Sequence, residues 1–137
     1  MFSPIPASVG VCLGMYEVSV SSDFAAAHRL RGYEGSCERL HGHNWRVKVV
    51  LRADAVDGLG MAYDFREAKR SLSKVLAGLD HAYLNEDVAA FGRENPTTEN
   101  IARHIFDAMK GEVAGRVGVA RVTVWESAGC SGSYCEE

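Results

Sequence analysis

The sequence lacks any apolar run approaching the roughly 18 residues that a membrane-crossing helix requires, so a helical span is excluded. It lacks a basic excess as well. Fifteen Lys and Arg stand against eighteen Asp and Glu, a formal net charge of −3 with no long basic tract, which argues against a surface that binds nucleic acid by neutralising phosphates. Cysteine is scarce, at four residues: Cys12, Cys37, Cys130 and Cys135. Two disulfides would need an oxidising compartment, yet the apolar start from Met1 to Gly14 has no positively charged segment of the kind that opens a secretory signal. Reduced thiols and a cytoplasmic location are the expectation. Cys130 and Cys135 are five apart, unlike the tight pairs of structural zinc knuckles, and read as structural or incidental.

What is present suits one packed domain: 137 residues with 47% hydrophobic content. Pro4, Pro6, Gly10 and Gly14 mark residues 1–14 as a loose extension, leaving residues 15–137 as the domain. Tyr16, Val18 and Val20 alternate with Glu17, Ser19 and Ser21, a strand pattern. Residues 45–53 repeat it, with Val47, Val49, Leu51 and Ala53 on one face. Between the two, residues 31–38 are rich in glycine and charge and read as a loop.

Phe65, Ala68, Leu72, Val75, Leu76 and Leu79 have helical spacing, and Asp64 with Glu67 reads as a capping box at its start. Ile101, Ala102, Ile105, Phe106 and Met109 mark a second helix, entered through Asn95-Pro96-Thr97-Thr98-Glu99. Val117, Val119, Val122 and Val124 form another strand that ends near Glu126, and residues 129–137 supply a short last one. Strands at both ends around two helices define an α+β domain: an antiparallel four-stranded sheet with both helices on one face. Such a sheet has open edges, so self-association is expected.

The chemistry concentrates in FAAAHRLRGYEGSCERLHGHNWRVKV, residues 24–49, where three of the five histidines fall within sixteen residues. His41 and His43 flank Gly42 at the mouth of a strand. Residues two apart on a strand share a face, so both imidazoles reach one ion with no bulk from Gly42 between them. His28, just past the first strand, would return beside them. Three imidazoles with a fourth position open is the arrangement of a catalytic zinc site; the alternative is three ordinary polar residues.

Cys37 lies four residues before His41, where a divalent cation and Arg39 would favour its thiolate; otherwise it is a buried thiol. In LDHAYLN, Asp80 can orient His81 for proton transfer, although such a dipeptide also serves as a local turn. Glu126 closes an apolar strand face, where its carboxylate needs either a core-rim arginine or the guanidine-like edge of a ligand. Arg29, Arg31, Arg39, Arg46, Lys48 and Arg52 would draw a phosphorylated substrate. His104 and the tryptophans read as packing or surface.

Taken together, FAAAHRL, CERLHGHNW, YDFREAK, LDHAYLN, NPTTENIA and VTVWES, in this order from about residue 16 to residue 127, resemble the 6-pyruvoyl/6-carboxy-tetrahydropterin synthase family. The resemblance implies the tunnelling fold, in which sheets of several subunits close into a barrel, commonly a homohexamer made as a dimer of trimers. It implies Zn²⁺ on His28, His41 and His43, and proton transfer by Cys37, Asp80 and His81. Glu126 anchors the pterin, Thr97 and Thr98 line the same pocket, and zinc and anchor come from different chains.

The gap of three residues between Cys37 and the HGH segment is similar to the carboxy-forming branch that feeds queuosine and 7-deazapurine synthesis. A lyase reaction then follows, from 7,8-dihydroneopterin triphosphate to 6-carboxy-5,6,7,8-tetrahydropterin, acetaldehyde and triphosphate. Glu38, beside Cys37, stands where a related branch uses a glutamate to form 6-hydroxymethyl-dihydropterin for folate synthesis. A pyruvoyl-forming synthase is the other enzyme reading. A non-catalytic pterin- or zinc-binding module and a three-histidine zinc hydrolase are readings of a different kind; the first leaves Cys37, Asp80 and His81 without purpose, the second Glu126.

Overall fold

The computed structural model describes residues 14–35 and 38–136. Strand β1 spans Tyr16–His28 and β2 spans His41–Ala53; helix α1 follows at Phe65–Ala77. A two-residue strand β3, Ala82–Tyr83, leads into the single-turn helix α2, Leu84–Asp87, and a 3₁₀ turn at Ala89–Gly92. Helix α3 covers Thr98–Glu112, and β4, Val117–Ser127, and β5, Cys130–Cys135, complete one sheet in the order β3-β1-β2-β4-β5.

The four long strands are antiparallel neighbours, as their alternation implies, but the sheet has five strands rather than four. The fifth, β3, runs parallel to β1, pairing Ala26 with Ala82 and Ala27 with Tyr83. Two residues carry no periodicity, so only the tertiary pairing reveals such a strand. The same pairing carries β1 seven residues past the expected end at Ser21. Ala25, Ala26 and Ala27 have weak strand propensity, yet the ladder to β2 runs unbroken to His28 opposite His41. His28 is therefore the last residue of the strand, not a residue beyond it.

One face of the sheet is dry. Trp45, Val47, Val49 and Leu51 of β2 and Val122 and Val124 of β4 are all but fully buried, under Leu72 and Leu76 of α1 and Ile101, Ile105, Phe106 and Met109 of α3. Helix α1 lies against β1 and α3 against β4 and β5. The intervening residues, among them Ser19, Asp23, Arg46 and Arg52, face outward and are exposed. Within the described residues no helix is long and apolar enough to cross a membrane.

The helix starts follow from their caps. Asp64 accepts from the Arg66 N–H at 2.8 Å and Thr97 from the Asn100 N–H at 3.1 Å. The capping box is only half made, because Glu67 pairs with Arg70 at 2.7 Å, one turn along the helix, instead of reaching back to Asp64. Helix α3 packs tightly against β5: a Cβ at Gly132 would lie 2.5 Å from Thr98 Oγ1, so this strand position has room only for glycine.

Candidate metal centre

Sheet register builds the centre. His28 ends β1, His41 opens β2 directly opposite, and His43 lies two residues on; all three share the parity of the buried Phe24 and Trp45 and so project to the core side at one end of the sheet. Their rings meet edge to face, with centroids 4.5 to 5.2 Å apart. Trp45 forms the wall behind them, 4.8 Å from the His28 ring and 5.0 Å from that of His43, its own indole N–H donating to the Ala26 carbonyl at 3.1 Å. Glu126 completes the group: Oε1 is 3.0 Å from Nε2 of His43 and 3.3 Å from Nε2 of His28. One ligand atom from each of the four residues lies within 4.8 Å of all the others.

Hydrogen bonding fixes what these atoms can be. Nδ1 of His28 is 2.7 Å from the Pro96 carbonyl and Nδ1 of His41 is 2.6 Å from the Arg39 carbonyl. A carbonyl only accepts, so each Nδ1 carries the proton, and the ring in its neutral form presents a bare lone pair at Nε2. Those two Nε2 atoms are 2.9 Å apart. Two lone pairs at that distance repel unless a cation is shared between them. Nε2 of His43 is buried without a hydrogen-bond partner among the described residues, since its 3.0 Å approach to Glu126 lacks a hydrogen bond's alignment. Backbone carbonyls that orient imidazoles and leave Nε2 free are the usual outer support of a metal site. The separations suit a tetrahedral ion with bonds of about 2.0–2.1 Å, whose ligand atoms sit about 3.3 Å apart. The donor set therefore fits a borderline divalent cation.

Electrostatics keeps the site ready for metal. The pKa of His28 is lowered, first by burial and further by His41 and His43, against the opposing pull of the Pro96 carbonyl and Glu126. His43 is lowered for the same first reason, against the pull of Glu126. Both are neutral at pH 7, as ligation requires.

A pH dependence follows. In the metal-free protein the unfolded chain, its histidines titrating near 6.5, takes up protons that folded His28 and His43 refuse. Stability should thus decline as the pH falls through about 6.5 and level off below the folded values. Half-buried His104, packed on Phe91 and lowered by burial, adds to the same decline. Denaturant midpoints of metal-free protein at about pH 7.5 and about pH 5.5 measure it; equal midpoints would contradict it.

Asp80 and His81 lie elsewhere. Asp80 accepts from the Ala25 N–H at 2.9 Å and its other oxygen is 2.9 Å from His81 Nδ1. Its pKa is lowered, chiefly by the Ala25 N–H and further by His81. His81 has a left-handed backbone, φ 60°, the only non-glycine residue so placed among those described, and its N–H donates to the Ala25 carbonyl. Such a conformation costs about 1–3 kcal/mol and persists where surrounding contacts impose it.

His81 borders a hollow of about 450 Å³ that is also lined by Ala25, Ala26, Ala27, Gly42, His43, Asn44 and Ala82. Ala25, Ala27, Gly42 and Asn44 have the outward parity, so this hollow opens on the sheet face opposite the histidine side chains. No hydrogen bond or ion pair joins Asp80 or His81 to His28, His41, His43 or Glu126. Gly42 floors this hollow. Apart from its chain neighbours, a Cβ there would meet only the Ala26 carbonyl, at an ordinary 3.7 Å.

Cys37 falls outside the described residues, as does Cys12. Glu38 is exposed in a turn whose N–H donates to the Gly35 carbonyl at 3.2 Å. Thr97 and Thr98 are engaged at the start of α3, Thr97 as the cap and Thr98 donating to Glu99 at 2.6 Å. They reach the centre through Pro96, whose carbonyl holds His28. Cys130 and Cys135 are exposed free thiols on β5.

Several residues that position the site stood inside the quoted motifs or the basic cluster with no positioning role assigned to them. Asn85 grips the backbone of Arg29 at both N–H and carbonyl, each 2.9 Å, and Asn95 does the same to Arg31. The Arg31 guanidinium in turn donates to the carbonyls of Phe91 and Glu94 at 2.7 and 2.8 Å. These clamps continue the ladder past His28 and tie it to the segment bearing Pro96. Asn95→Ala should cost about 1–3 kcal/mol, because Arg31 loses both backbone partners, and should weaken metal binding through a looser His28; denaturation and metal competition measure the two.

The five-stranded α+β sheet thus gathers at one end three imidazoles and a carboxylate, a donor set that could hold a metal ion. The sequence pattern of the 6-pyruvoyl tetrahydropterin synthase family matches residues 17–137, and the chain belongs to that family. It is 38% identical over 125 residues to the 6-carboxy-5,6,7,8-tetrahydropterin synthase of Synechocystis, covering 88% of this chain and 93% of the relative. It is 35% identical over 105 residues to the dihydroneopterin monophosphate aldolase of Pyrococcus furiosus, covering 77% and 84%. The structure of the Caenorhabditis elegans 6-pyruvoyl tetrahydropterin synthase superposes with a TM-score of 0.80 at 30% identity, over 90% of this chain and 96% of that one. The fold is that family's tunnelling fold, and the protein is an enzyme of the pterin-synthase type acting on a pterin.

Proposed function

We propose that this protein is a zinc-dependent 6-carboxy-5,6,7,8-tetrahydropterin synthase of the cytoplasm, serving queuosine and 7-deazapurine synthesis. Its substrate is 7,8-dihydroneopterin triphosphate, its products the carboxy-pterin, acetaldehyde and triphosphate. The observation that carries the metal assignment is the pair of bare Nε2 lone pairs on His28 and His41, 2.9 Å apart. The relative from Synechocystis and the three-residue gap from Cys37 to HGH support the carboxy product.

His28, His41 and His43 hold the ion, which when bound supplies Lewis acidity to the side-chain oxygens of the substrate. Cys37 moves a carbon-bound proton, and Asp80 with His81 handles the opposing one. Ionised Asp80 holds His81 Nδ1 as a donor and leaves Nε2 to exchange protons. Glu126 accepts the guanidine-like edge of the pterin, beside Thr97 and Thr98. Residues 1–14 are an extension to the domain at 15–137. Incubation with dihydroneopterin triphosphate and chromatography of the pterins tests the reading; absence of carboxy-pterin would overturn it.

His81 borders the outward hollow while His28, His41 and His43 project to the core side, so a dyad serving a metal-bound substrate comes from a neighbouring subunit. That requirement, with the open β5 edge, favours a homohexamer made as a dimer of trimers. Light scattering should give a closed oligomer, most simply six chains; a monomer with full activity would contradict it. A second reading, side-chain cleavage to 6-hydroxymethyl-dihydropterin, draws on Glu38 beside Cys37 and on the aldolase relative from Pyrococcus.

A further inference from the structure

Glu126 is the extra residue of a β-bulge. Trp125 pairs with Ser131 and Ser127 with Cys130, so β4 advances two residues while β5 advances one and Glu126 has no partner on β5. A bulge bends the strand and re-aims a side chain. Here it delivers a carboxylate oxygen to 3.0 and 3.3 Å from two histidine nitrogens of the same chain. The family resemblance led to the expectation that this glutamate serves a pterin bound at another chain's metal. Instead it stands in its own chain's donor set, about one third exposed on the solvent side.

We infer that Glu126 is the fourth ligand of the resting metal centre and that substrate must displace it. The inference rests on the metal-site reading above. Four protein ligands close a site, whereas catalysis needs an open position. One carboxylate cannot bond to the ion through Oε1 and at the same time hold a flat guanidine-like edge through both oxygens. Arrival of the pterin would resolve the conflict: its edge would draw the Glu126 carboxylate away, leaving His28, His41 and His43 to hold the ion with one position open to a substrate oxygen. The bulge makes the motion cheap, since Glu126 has no ladder partner on β5 to break. Water then competes for the ion only when substrate is seated.

Cobalt(II) in place of the native ion supplies a visible spectrum that reports its ligands, and azide is a probe for an open position. Wild-type cobalt protein should resist azide. Glu126→Gln should bind azide at least about tenfold more tightly and cobalt at least about tenfold more weakly. Glu126→Asp, which keeps the charge but shortens the reach, should follow the glutamine variant and so separate ligation from simple charge. Equal cobalt affinity and equal azide response in all three proteins would overturn the inference while leaving the three-histidine site intact. Failure of the wild type to bind cobalt would overturn the inference together with the metal site.

Discussion

Replacing His28, His41 or His43 singly with alanine should take the purified protein from about one metal ion per chain to nearly none. Each ring supplies a lone pair that no neighbour can replace. Arg31, Asn85 and Asn95 are engaged with backbone, and Glu126 already stands in the group. The His28 variant should be the most severe. It removes a side chain that is 1% exposed and also leaves the Pro96 carbonyl without its donor, a stability cost of about 1–3 kcal/mol beyond the loss of metal. His41 and His43 lie closer to solvent, so their alanine variants should fold almost as well as metal-free wild type while binding no metal. Elemental analysis, read beside the denaturation midpoint of each variant, separates loss of the ion from loss of the fold. Full metal content in all three single variants would remove the site.

Cys37→Ala should leave the ion bound and abolish the carboxy-pterin product, a fall of about 10²–10⁴-fold if the thiolate is the base. His28, His41 and His43 are the ligands expected to hold the ion, so metal content serves as the control. Glu38 makes the experiment decisive. It is exposed and one residue away, and only one of two adjacent side chains can point at a given carbon-bound proton. If Glu38 serves side-chain cleavage, Cys37→Ala should retain or increase release of 6-hydroxymethyl-dihydropterin, and Glu38→Ala should lose that product alone. Chromatography of the pterins from wild type and both variants distinguishes these outcomes. Full carboxy-pterin activity in Cys37→Ala would transfer the role of base to His81 or to hydroxide at the metal.

The elements legible in the sequence were those whose side chains repeat with the period of their backbone. Val47, Val49 and Leu51 alternate because β2 buries one face, and Leu72 and Leu76 recur by four because α1 buries one stripe. Asp64 was legible as a cap, and one of Thr97 and Thr98 as another, because a helix start leaves N–H groups that a short oxygen can satisfy within three residues. Glu67 was misjudged because Arg70, one turn away, offers a charged partner. The extension of β1 through Ala25–His28 and the whole of β3 were not legible. Three alanines and a two-residue strand carry no pattern, and hydrogen bonds from distant segments decide their conformation.

The sequence by itself determined which chemistry is available: three histidines, a thiol, an Asp-His pair and a terminal-strand glutamate, set at the ends of strands that alternate. Residue type and short spacing are local properties, and a strand places residues two apart on one face whatever surrounds it. Tertiary structure alone decided who meets whom. The antiparallel register sets His28 against His41, and the bulge in β4 turns Glu126 onto the histidines. Docking of residues 80–81 on Ala25 sets His81 beside the outward-facing Ala25, Ala27, Gly42 and Asn44. Each of these depends on hydrogen bonds or side-chain contacts between segments 13 to 98 residues apart, and no local periodicity encodes a distance of that kind.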